Sequence, residues 1–136
     1  MDLVKVIQEQ MQNYLPGHLG IEIMQADKEL VTASLAVKRN VCTLGDRLHG
    51  GAIMAFADTL GAVGAFLNLP EGAATTTIES KTNFTGGAPL DSRVIGKAEL
   101  IHNGKTLSVW QTRIETEEGK LVAMVTQSQM VLLPKN

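Results

Sequence analysis

His49-Gly50-Gly51-Ala52-Ile53-Met54-Ala55-Phe56-Ala57-Asp58, continuing through Thr59 to Leu69, is the stretch on which the reading of this chain turns. From Ala52 to Leu69 there are 18 residues, 13 of them apolar, with no proline and with Asp58 as the only charge. A helix apolar on nearly every side has to be buried, so the rest of the chain is expected to wrap it with one carboxylate sealed inside. Gly50 and Gly51 leave the first backbone N–H groups bare of side chains, which suits a helix start that receives a substrate oxygen or another negative group. The length approaches that of a membrane span. A mid-span Asp is costly there, however, and no basic cluster flanks either end, so a core helix is the better reading. The plainer alternative is a structural helix in which Asp58 only bonds to its surroundings and the glycines only mark a turn.

The chain around this helix has 136 residues, enough for one domain with a real core and cramped for two, so residues 1–136 are read as a single domain. A net charge of -2 and only five aromatic residues offer neither a basic patch nor a stacking platform, which argues against nucleic acid as a partner. The start Met1-Asp2-Leu3, with Lys5 and Glu9 close behind, does not read as a secretory leader, and the single Cys42 cannot form an internal disulfide. A reducing, cytoplasmic setting is expected. Cys42 has no His or basic residue beside it in sequence and reads as packing rather than as a nucleophile.

Before the central stretch, Leu3, Val6, Ile7, Met11 and Tyr14 recur at helical spacing over Asp2 to Tyr14, and Pro16-Gly17 is expected to end that helix, leaving His18 in a loop. Ile21 to Ile23 and Val31 to Val37 alternate as two strands around an Asp27-Lys28-Glu29 turn, and Lys38 to Leu48 reads as an irregular loop. Behind the helix the period changes to two. Ala74 to Phe84, Arg93 to Ile101, Thr106 to Thr116 and Lys120 to Leu133 are read as long strands, with Asn103-Gly104 a two-residue hairpin signal and Glu118-Gly119 a second tight turn. Strands this long joined by short turns make one antiparallel sheet, apolar on the face that the helix covers.

The order helix, two strands, buried helix, four strands describes an α+β chain in which a curled antiparallel sheet wraps one long central helix. Together with His49-Gly50-Gly51 and Ala57-Asp58 it resembles the hotdog fold, and within it the phenylacetate-degradation (PaaI-like) branch of the acyl-coenzyme A thioesterases. The strand running into Asn83-Phe84 and the Gly-Ala-Pro after it add to the likeness, which spans nearly the whole chain.

Thioester hydrolysis needs a donor to polarise the carbonyl and a carboxylate to attack it or to activate water. Gly50 can supply the donor through its N–H at the positive end of the helix, and Asp58 can supply the carboxylate. Eight helical residues separate them by about 12 Å, whereas reacting atoms must approach to roughly 3–3.5 Å. One subunit cannot meet both demands, but a two-fold dimer can, with Asp58 of one chain facing Gly50 of the other. The resemblance implies the same arrangement, a homodimer and often a dimer of dimers. Ala57, Gly61 and Ala65, spaced by four, are expected to let the helix approach a neighbour closely.

The family pattern has Asn or Gln seven residues before the first glycine. Here that position is Thr43, with Asn40 as a possible substitute. The resemblance also implies a hydroxyl on the strand after the helix that holds the attacking water; counting back from Asn83-Phe84 places it at Thr77, or at Thr76 if the register slips by one. For His49 a supporting role is expected, bonding to the loop or near the thioester, in preference to acid–base work. The coenzyme's phosphates require cations or free backbone N–H groups, for which Gly86, Gly87 and Arg93 are candidates, with Lys81, Lys97, Lys105 and Lys120 behind them. A basic residue that many relatives carry before the Pro is absent from Thr85-Gly86-Gly87-Ala88-Pro89. No resident cofactor or metal is implied, since coenzyme A is part of the substrate. Met54, Phe56, Leu60 and Phe66 are candidates for an apolar acyl pocket. The competing readings are an acyl-thioester hydratase or dehydratase of the same fold, and a non-catalytic acyl-thioester binding protein.

Overall fold

The computed structural model describes residues 2–135. The central stretch forms helix α3, Gly50–Leu67. It starts where His49 caps it and stops at Asn68, whose side-chain amide donates back to the carbonyl of Gly64 and across to that of Lys28. Ahead of it lie α1 (Leu3–Met11), α2 (Leu15–Leu19), β1 (Ile21–Ala26), β2 (Leu30–Ala36) and the short pair β3 (Cys42–Thr43) and β4 (Arg47–Leu48). Behind it come β5 (Ala74–Phe84), β6 (Arg93–Asn103), β7 (Leu107–Thr116) and β8 (Leu121–Leu132). Six strands form one antiparallel sheet in the order β1-β2-β6-β7-β8-β5, and α3 packs across it.

The core sits between α3 and the sheet face that curls toward it. Phe56, Leu60 and Ala57 on the helix meet Trp110, Ile114, Val94 and Ala98, all fully buried. Close approach is obtained from glycine: a Cβ at Gly64 would fall 2.3 Å from the Trp110 ring, and one at Gly61 would fall 2.3 Å from the Gln127 amide. This corrects the expectation for the small-residue stripe. Ala57, Gly61 and Ala65 are buried within the single chain, with the Gln127 amide filling the space beside Gly61 and the Trp110 ring that beside the adjacent Gly64.

The wrapping is also one-sided. Met54 is 38% exposed and Phe66 62% exposed on α3, so an apolar stripe stays uncovered in the single chain. A sheet of six strands reaches one side of a helix, and only α1 and α2 stand beside the other. The helix passes a length and apolarity test for a membrane span, yet it carries one face of the core described above.

Three local expectations are corrected. Pro16 and Gly17 do not end a helix but lie inside α2, with His18 in its last turn; Pro16 stands in the first turn, where a missing N–H costs no bond, and Gly20 closes the helix at φ 82°. The Lys38 to Leu48 segment contains a 3₁₀ turn, Arg39–Val41, and the β3–β4 ladder. The turn expected at Asn103-Gly104 lies two residues further on: neither residue has positive φ, Asn103 pairs with Ser108, and the Gly104 N–H donates to the Leu107 carbonyl, so Lys105 and Thr106 form the tip.

Candidate functional site

Asp58 is only half-buried, at the border between the covered and uncovered faces of α3, not sealed inside as expected. Its Oδ1 accepts a hydrogen bond from the Thr77 hydroxyl at 2.6 Å, the short distance usual for a hydroxyl on a carboxylate. The Gln127 amide donates to the same oxygen at 3.4 Å. Among the described residues nothing donates to Oδ2.

Behind this contact runs a relay across two strands. Gln129 Nε2 donates to Thr77 Oγ1 at 2.6 Å, so the Thr77 proton is left to point at Asp58. The Gln129 carbonyl in turn accepts from the Thr75 hydroxyl at 3.1 Å. Thr77 and Gln129 are directly opposed in the β5–β8 ladder, and a bulge between Thr77 and Glu79 follows at once. Thr77 is the inward residue and Thr76 faces out, so the register expected from sequence is the one found. The Thr77 hydroxyl, expected to hold a water, is bonded to Asp58 itself.

Gln127 and Gln129 were missed in the sequence. Both are almost fully buried and continue the inward series of β8 after Ala123 and Val125. Two amides at inward positions of a period-two strand are the signal that could have found them, because a buried amide requires partners. Gln127 Oε1 has no partner among the described residues. Flipping the amide would turn that oxygen toward the Asp58 carboxylate, which fixes the orientation seen.

At the start of α3, His49 Nδ1 accepts the Gly51 N–H at 2.7 Å. The ring is therefore a helix cap, which places the proton of the neutral imidazole on Nε2. Among the described residues the Gly50 N–H makes no hydrogen bond. The Phe84 ring lies over Gly50, 3.3 Å from where a Cβ would stand. A hollow of about 330 Å³ beside this helix start is lined by Asn40, Cys42, His49 and Gly51 among others. Thr43 does not line it. Alternation turns Cys42 inward and Thr43 outward, where it pairs with Arg47 in the β3–β4 ladder. The structure thus brings Asn40, and not Thr43, to the helix start.

The turn after β5 is occupied differently from expectation. The Gly86 N–H is already taken by the Val122 carbonyl at 3.1 Å, which removes it as a free phosphate donor. Arg93 is not at this turn: its guanidinium donates to Ser34 at 2.9 Å and lies 3.9 Å from Glu22. Lys97 pairs with Glu115 on the outer sheet face at 3.7 Å. The cations that do flank the turn are Arg47, packed over Gly87, and Lys120, packed over Gly86. Arg47 comes from β4 and forms an isolated antiparallel bridge to Pro89.

A half-buried acid fixed through one oxygen and an unpartnered N–H at a glycine helix start are groups that acyl transfer can use. The sequence profile of the Thioesterase superfamily matches residues 45–123, which contain both. The chain belongs to the thioesterase superfamily. It is a thioester hydrolase with the hotdog fold. A candidate esterase of Haemophilus influenzae is 34% identical over 110 residues, 80% of this chain and 78% of that one. A variant of the thioesterase PA1618 from Pseudomonas aeruginosa is 26% identical and superposes with a TM-score of 0.91 over 97% of this chain and 95% of its own. The PaaI protein of the E. coli phenylacetic acid degradation operon shares the fold, with a TM-score of 0.83 over 97% of this chain and 98% of its own at 20% identity.

Proposed function

We propose that the protein hydrolyses acyl-coenzyme A thioesters as a homodimer, with each site built from Gly50 of one subunit and Asp58 of the other. The observation that carries this reading is that Asp58 is held through Oδ1 alone while the free Gly50 N–H stands on the same helix, about 12 Å away along its axis. No thioester carbonyl can touch both within one chain. A two-fold axis across the exposed α3 stripe pairs them twice. The uncovered edge of β5, an 11-residue strand bonded on one side only, supports the same association.

In this arrangement the Gly50 N–H donates to the carbonyl oxygen, and the positive end of α3 favours the negative charge that develops there. His49 holds the helix start open by satisfying Gly51. Thr77, directed by Gln129, keeps Oδ1 of Asp58 occupied, so Oδ2 either attacks the carbonyl carbon or takes a proton from the attacking water. Single turnover in labelled water separates the two, since label in Asp58 itself marks direct attack. Arg47 and Lys120, with the Gly87 N–H, are the groups we assign to the coenzyme's phosphates.

Complementation tests the shared site. Asp58→Asn removes the carboxylate, and Gly50→Pro removes the N–H at the first helical position, where proline is tolerated. Each variant alone is expected to lose at least about a hundredfold in kcat/KM. Random mixing of the two should restore about one quarter of wild-type sites, because half the dimers are mixed and each of those holds one intact site. No recovery in demonstrably mixed dimers rules out the trans arrangement.

A further inference from the structure

The uncovered side of α3 is not flat. Together with α1 and α2 it lines an open hollow of about 430 Å³, within the usual range for a small-molecule site. Met11 and Leu15 stand on one wall, and Val63 and Phe66 stand on the other with Asp58. Among the described residues Asp58 is the only charged one on it, no cation lines it, and Gln10 is the sole other polar side chain apart from Thr59. We infer that this hollow holds the acyl group, and that it selects an unbranched, uncharged chain of roughly eight to ten carbons. The inference rests on the thioesterase reading above and names its substrate class.

Length decides the size. Phe66 is the last α3 residue on the wall and lies two turns beyond Asp58 on the same stripe, a distance of about 12 Å. An extended chain advances about 1.2 Å per bond, a third of the reach of one extended residue, so some ten bonds cover that distance. Width decides the shape. Spread along α3 from Ala55 to Phe66, the 430 Å³ averages about 6 Å across. That admits one aliphatic chain but not a second helix, which is about 10 Å thick with its side chains. A partner subunit's α3 therefore lies over the hollow without filling it. Charge decides the class: an acyl chain ending in a carboxylate would meet apolar walls and a like charge on Asp58, with no cation to pair it.

The test is thiol release from coenzyme A thioesters of two to fourteen carbons, with ω-carboxyl analogues and phenylacetyl, for wild type, Phe66→Ala and Gln10→Arg. In wild type, kcat/KM should rise about three- to fourfold per methylene and level off at roughly eight to ten carbons. The ω-carboxyl analogues should be at least about tenfold poorer than unsubstituted chains of equal length. Phe66→Ala should move the break to longer chains, and Gln10→Arg should raise the ratio of ω-carboxyl to unsubstituted turnover. A flat length profile, a preference for ω-carboxyl chains, or an unmoved break in an active Phe66→Ala overturns the inference. So does loss of the dimer in Phe66→Ala with an unchanged ratio in Gln10→Arg, which would assign the hollow to a second copy. Absence of turnover by wild type on every member defeats the thioesterase reading itself, whereas turnover without length dependence defeats only the acyl assignment.

Discussion

The Asp58 carboxylate depends on a hydroxyl whose direction is set by a neighbour. Gln129 donates into Thr77 Oγ1, so the only proton Thr77 has left goes to Asp58. A hydrogen bond to a charged group is worth about 1.5–3 kcal/mol, and here it orients the reacting group as well. Thr77→Val is therefore expected to lower kcat by roughly ten- to a hundredfold with KM little changed, while Thr77→Ser keeps most of the activity. Loss in Thr77→Ser with activity kept in Thr77→Val would show that the Thr77 methyl, and not its hydroxyl, matters. Asp58 and Thr77 were legible as residues, through the lone acid in an apolar run and the hydroxyl-rich strand after it. Gln129 was not read, because its importance lies in a register between β5 and β8 that is set 52 residues apart in sequence.

At the scale of elements, α3 and the sheet approach closely because two glycines face two large side chains. Gly64→Ala puts a methyl into the Trp110 ring, which is fully buried and has nowhere to turn. Overpacking of this kind costs about 1–3 kcal/mol, so a lowered melting temperature is expected, and an unchanged one would mean that the helix can lift from the sheet without cost. The extent of α3 was readable from its composition to within two residues at either end, since an apolar run without proline, opened by glycines, has few alternatives. The β6–β7 connection was less so. Asn103-Gly104 carries the composition of a tight turn, but a bulge between Leu100 and His102 shifts the register and moves the tip to Lys105 and Thr106.

For the whole molecule, the exposed stripe of α3 and the single-sided β5 edge are the surfaces on which the proposed dimer rests. With sites shared across a dimer, activity per subunit should fall on dilution through the dimer dissociation range and return on concentration, as read by thiol release alongside sedimentation. Constant specific activity across dissociation would place the whole site within one chain. The cations beside the Gly86-Gly87 turn belong to this scale too, since Arg47 on β4 and Lys120 just ahead of β8 reach the turn only in the folded chain.

The sequence by itself determined the period-two strands and the apolar helix with its single acid, because each is a local pattern in residue type, while the hotdog fold and thioesterase chemistry came from the resemblance carried by His49-Gly50-Gly51 and Asp58. Only the tertiary structure decided that the small residues of α3 face inward, that Arg47 and not Arg93 attends the glycine turn, and that Gln129 stands behind Thr77. Those are contacts between residues distant along the chain, and they depend on which strand lies beside which and on register, where a shift of one residue turns every side chain to the opposite face.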